Sequence, residues 1–104
     1  MNAEPPESTA KVAVITGAGS GVGRATAVLL AEAGWHGALL GRTESKLRST
    51  AADFPESAPS PLVIECDLGQ ADEMPAVMRR IIGHFGRVDA ILNIAGVAPQ
   101  IPIA

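Results

Sequence analysis

Between residues 16 and 23 the chain reads Thr-Gly-Ala-Gly-Ser-Gly-Val-Gly, with glycine at 17, 19, 21 and 23. Directly before it, Lys11-Val12-Ala13-Val14-Ile15-Thr16 is short, β-branched and apolar, the composition of a buried strand. Directly after it, Val22, Thr26, Leu29, Leu30 and Ala33 recur at helical spacing, and Gly34 stands where a helix ends in a left-handed residue. A strand, a glycine-rich turn and a helix in immediate succession constrain the fold more than any other feature of the sequence.

The rest repeats that alternation. His36–Leu40 predicts a second strand, closed by Gly41-Arg42. Thr43 is placed to cap a helix running through Lys46, Leu47, Ala51 and Phe54 to Pro55. The stretch 55–61, with prolines at 55, 59 and 61, is a loop by composition. Leu62–Cys66 predicts a third strand, followed by Asp67-Leu68-Gly69. Met74, Val77, Met78, Ile81, Ile82 and Phe85 form the cleanest helical stripe, so Pro75 must fall in its first turns, and Gly86 stops it. Val88–Ile94 predicts a fourth strand. Each strand-to-strand link carries a helix, which makes the connections right-handed crossovers and the sheet parallel: an α/β, Rossmann-like β-α-β-α-β-α-β half with strand order 3-2-1-4. Residues 11–104 are expected to form this partial dinucleotide-binding domain, and residues 1–10, rich in acids and prolines, a disordered tail.

Composition narrows the classes. The chain has 104 residues, is 47% hydrophobic and has a mean hydropathy of +0.25, values of a globular protein. The net charge of −3 without a basic block argues against nucleic acid or a membrane surface as partner. Arg79-Arg80 reads as the solvated side of a helix. Cys66 is the single cysteine and, beside Val63 and Ile64, reads as a buried strand residue rather than a reactive thiol. His36 and His84 have no companions at ligand spacing, so no metal site is expected. There is no run of 18 apolar residues and no signal-peptide pattern, which makes the cytoplasm the default location.

The glycine cluster carries the chemistry. Gly17 allows a tight turn off the strand, Gly21 lets backbone approach a pyrophosphate, and Gly23 permits close packing of helix against strand. That helix start presents free N–H groups and the positive end of a dipole to an anion. At the end of the second strand, where a fold choosing NAD places an acid about 20 residues beyond the glycines, this chain has Gly41 and then Arg42. A carboxylate there would repel a ribose 2′-phosphate, whereas a guanidinium can bond it in bidentate fashion. The competing reading makes Arg42 and Lys46 solvated residues of a helix start.

With these residues in view the chain resembles the short-chain dehydrogenase/reductase family. Its cofactor signature has the spacing of Thr16-Gly17 to Gly21 and Gly23, and the likeness continues through Gly41-Arg42, Asp67-Leu68 and Asn93-Ile94-Ala95-Gly96, from Lys11 to Val97. The resemblance implies NADP as cofactor in preference to NAD, held by Gly17, Ser20, Gly21, Val22, Gly23, Arg42 and Thr43, with Lys46 as a helper. It implies adenine contacts from Asp67 and Leu68, although Asp67 also reads as a turn residue or helix cap. Asn93, Ala95 and Gly96 would line the ribose side. Ile94 stands where the family has a second Asn that ties the central sheet, so the departure bears on sheet geometry more than on the cofactor.

The family's reaction needs a Tyr, a Lys and a Ser, with an Asn in a proton relay. In the family these lie past the fourth strand, and this sequence contains no Tyr, so no catalytic residue is assigned. The expectation is an NADP(H)-dependent oxidoreductase moving hydride between nicotinamide and a carbonyl or alcohol substrate. These residues are then its cofactor-binding half, a fragment inactive alone and able to associate into homo-oligomers. The alternatives are a finished nucleotide-binding or interaction module without catalysis, and a truncated reading frame.

Overall fold

The computed structural model describes residues 10–67 and 71–94. The strands are β1 (Val12–Thr16), β2 (His36–Gly41), β3 (Leu62–Glu65) and β4 (Ala90–Asn93), alternating with helices α1 (Gly21–Glu32), α2 (Glu44–Ala52) and α3 (Met74–Phe85). They form one four-stranded sheet of order β3-β2-β1-β4, with every pairing parallel. The order and direction match the expectation from sequence.

β1 is buried along its whole length and β2 from Gly37 onward, which explains why both are apolar runs rather than alternating ones: helices cover both faces. Val14, Ala38, Leu40 and Ile64 face α3, where Val77 and Ile81 pack with Cys66. Ala13, Ile15 and Leu39 face the opposite way, onto Ala27 of α1 and Leu47 of α2. The result is three layers with the sheet in the middle.

Element ends follow local chemistry. Past α1, the N–H of Gly34 donates to Ala31 and that of Trp35 to Leu30, the paired bonds of a Schellman stop. Pro75 falls in the first turn of α3, after a 3-10 turn at Ala71–Glu73. α2 ends at Ala52, two residues before the predicted Phe54, which nevertheless packs on the core. Thr43 occupies the N-cap position of α2, but its side chain makes no capping bond; its carbonyl receives the N–H groups of Lys46 and Leu47. β4 is shorter than predicted because Asp89 leaves the strand to act as a clamp. Its N–H donates to the Val12 carbonyl, and its carboxylate receives the Val12 N–H at 2.8 Å. Arg87 Nε and a terminal guanidinium nitrogen hold the same carboxylate at 2.9 and 2.7 Å. This arrangement keeps the Asp89 carboxyl below its ordinary value, through the Arg87 bonds first and the Val12 N–H second.

Candidate dinucleotide site

In a parallel sheet all carboxyl ends of the strands lie along one edge. Thr16-Gly17, Gly41-Arg42, Cys66-Asp67 and Asn93 therefore converge there, although they are far apart in sequence. In open parallel sheets that edge is where ligands bind.

The glycine turn has the shape its spacing suggested. Gly17 and Gly21 have φ of 65° and 57°, a region costly for residues with a Cβ. The space above Gly21 is open, since an added Cβ would meet no atom within 4 Å. Gly23 is the opposite case: a Cβ there would lie 2.0 Å from the Gly17 carbonyl oxygen. Its close packing is thus against the turn itself rather than against the strand. Ser20 is the N-cap residue of α1 without a side-chain capping bond, and no acid sits in the first turn. Val22, one residue further, is 69% exposed, an apolar side chain standing free at the mouth of the turn.

At the end of β2, Gly41 is buried while Arg42, Thr43 and Lys46 are exposed. A Cβ on Gly41 would come within 3.1 Å of Leu47 Cδ2, so the place of an acidic side chain is partly filled by a core leucine. Glu44, the acid nearest these cations in sequence, is held by Arg48 at 2.7 Å. Arg42 makes no ion pair with any described residue. Asp67 is exposed, and its N–H donates to Glu73 Oε1 at 3.4 Å. Cys66 is buried as expected, one residue past β3; burial and then the Glu73 charge push its thiol up. Leu68, Ala95 and Gly96 lie outside the described residues.

Asn93 is the partner of Thr16 across the β1–β4 ladder, and the Thr16 hydroxyl donates to its Oδ1 at 3.0 Å. The side-chain amide is thereby oriented, with its NH₂ on the other arm of the fork. Ile94 packs on the cluster around Ile15 and Leu39, and the ladder is in register through Asn93, so the exchange of Asn for Ile leaves the described sheet intact.

Three contributions escaped the sequence reading: the Thr16 hydroxyl, the Asp89 clamp, and Thr50. Thr50 is fully buried in α2, and its hydroxyl donates to the Ala18 carbonyl at 2.8 Å. One signal for it was available, because Thr50 is a polar residue three places after Leu47 on the buried stripe of its helix. Among the described residues no cluster of three or more His, Cys, Asp or Glu could hold a metal ion, and no helix is long and apolar enough to cross a membrane.

The fold and the glycine turn together define a Rossmann-like protein with the frame of a dinucleotide site. The short chain dehydrogenase family model matches residues 11–104, and the chain belongs to that family, whose members are oxidoreductases binding a nicotinamide dinucleotide. It is similar to the farnesol dehydrogenase of Aedes aegypti, 37% identical over 91 residues, covering 86% of this chain and 37% of that protein. Among solved structures it is similar to a betaketoacyl-ACP reductase from Bacteroides thetaiotaomicron, with a TM-score of 0.81 at 25% identity, covering 86% of this chain and 42% of the other. Two further structures match at a TM-score of 0.73 and 31% identity over 78% of this chain. One is a metagenomic short-chain oxidoreductase in complex with NADP, of which 37% is covered. The other is an NAD⁺-bound xylitol dehydrogenase, of which 31% is covered. The chain thus spans less than half the length of each of these proteins.

Proposed function

We propose that these residues are the cofactor-binding part of an NADP(H)-dependent oxidoreductase that moves hydride between the nicotinamide and a carbonyl or alcohol carbon. The observation that carries the choice of cofactor is the end of β2. No acid stands there, Leu47 crowds the position of one, and Arg42 is exposed and unengaged by any described acid. Arg42 suits a 2′-phosphate, with Thr43, Lys46 and Ser20 as its helpers. Gly17, Gly21, Val22 and Gly23 suit the pyrophosphate at the start of α1. Asp67 and Asn93 suit the adenosine end, as do Leu68, Ala95 and Gly96 by their positions in sequence.

When bound, the nicotinamide would give or take the hydride; the role of these residues is to bind and orient it. With no Tyr in the sequence and no other group suited to protonating a carbonyl oxygen, the 104 residues alone are expected to bind without turnover. Calorimetric titration with both cofactors tests the reading. NADPH should bind tighter than NADH by roughly tenfold to a hundredfold, the worth of one charge-assisted contact of about 1.5–3 kcal/mol. Arg42→Asp should reverse the order. Equal affinity for the two cofactors in the unaltered chain would sink the assignment, and NADPH oxidation above background with a panel of carbonyls would refute the inactivity.

A further inference from the structure

The glycine turn rests on α2. Lys46 Cβ lies so close to Gly19 that a Cβ on the glycine would approach it to 2.9 Å. One turn further along the helix, the Thr50 hydroxyl reaches the Ala18 carbonyl at 2.8 Å, while Lys46 O, at 3.3 Å, competes only weakly for the same proton. The N–H of Ala18 is held too, by the Leu40 carbonyl of β2 at 3.2 Å. Ala18 and Thr50 are both fully buried, so no water can replace the hydroxyl.

A trans peptide is planar, with its C=O and N–H on opposite sides. A carbonyl pinned toward α2 therefore directs the Gly19 N–H away from α2. Glycine on either side of Ala18 gives that peptide little resistance of its own to rotation, so the restraint has to come from a partner. We propose that Thr50 is a positioning residue for the dinucleotide: its buried hydroxyl, by holding the Ala18 carbonyl, keeps the Gly17–Gly21 turn in its cofactor-binding shape. The proposal rests on the functional reading above and adds a residue that touches no part of the cofactor. It also makes α2 a bridge, since the helix that begins beside Arg42 and Thr43 grips the phosphate turn through its second turn.

The test compares Thr50→Val, which keeps the branched shape and removes the hydroxyl, with Thr50→Ser, which keeps the hydroxyl. Amide hydrogen exchange without cofactor should rise about tenfold over residues 18–23 in Thr50→Val, with β1 and the second half of α1 unchanged. Affinity for NADPH and NADH should fall by the same factor, about tenfold, leaving their ratio as it was; a contact with the 2′-phosphate would change the ratio. Thr50→Ser should resemble the unaltered chain in both measurements. Unchanged exchange in Thr50→Val, or a loosened turn in Thr50→Ser, overturns the proposal, and the Ser variant alone decides it if the Val variant fails to fold. A chain that binds neither cofactor, yet shows the exchange response, would refute the functional reading and leave the hold of Thr50 on the turn standing.

Discussion

A Cβ on Gly23 would stand 2.0 Å from a backbone oxygen, and no rotamer relieves a contact made by Cβ itself. Gly23→Val is therefore expected to push α1 off the Gly17 turn, weakening NADPH binding more than tenfold and lowering the melting temperature. Without cofactor, Gly21→Ala should cost only the left-handed backbone, on the order of 1–2 kcal/mol of stability, because its Cβ meets no protein atom. NADPH titration and thermal unfolding of the two variants separate a packing glycine from a conformational one; unchanged NADPH affinity in Gly23→Val would mean that the turn is only a loop. The left-handed turn at Gly17 and Gly21 was legible in the sequence, since spacing after a strand is a backbone property. The Thr16–Asn93 and Thr50–Ala18 bonds were not, because they join residues 77 and 32 positions apart and depend on which strands become neighbours.

Elements were legible where the periodicity was unmixed. The stripe of α3 fixed its ends at Met74 and Phe85 despite Pro75, because a missing N–H in the first turn removes no bond. β4 was read two residues long at its start, since Val88 and Asp89 look like strand but Asp89 is bound to Arg87 and to the start of β1. That clamp joins two elements and titrates. The Asp89 carboxyl is lowered on folding, so it adds stability at pH values above about 4, the unfolded carboxylate range. That contribution is lost as pH falls through the lower folded value. Asp89→Asn should remove this dependence, giving a melting temperature that changes less than that of the unaltered chain as pH falls below about 4. Parallel acid limbs for the two proteins would show that the clamp carries no such linkage.

At the scale of the whole molecule, the two edges of the sheet differ. β3 is bordered by a loop with three prolines, carries Glu65, and has α2 packed on it, the kinds of device that protect an edge. β4 carries neither a proline nor a charged residue within Ala90–Asn93. It pairs with β1 on one side only among the described residues, and Ile91 is 57% exposed on the face it shares with Val14. Ile82 of α3 is also 48% exposed, so apolar surface is uncovered on the helix as well as on the strand. An apolar strand whose outer edge meets no described strand is a template for a second copy. The 104-residue chain should therefore associate as its concentration rises through the micromolar range, with sedimentation showing a growing fraction above monomer mass. Ile91→Lys places a charge in the middle of the edge strand and should shift that fraction back toward monomer, by about tenfold in the midpoint concentration if a ~1.4 kcal/mol share of the association rests there. NADPH affinity should stay unchanged, because Ile91 lies two residues before Asn93 on the strand and belongs to none of the cofactor contacts. Identical monomeric sedimentation of both proteins across that range, with a sharp cooperative melt, would refute the claim that the β4 edge drives self-association.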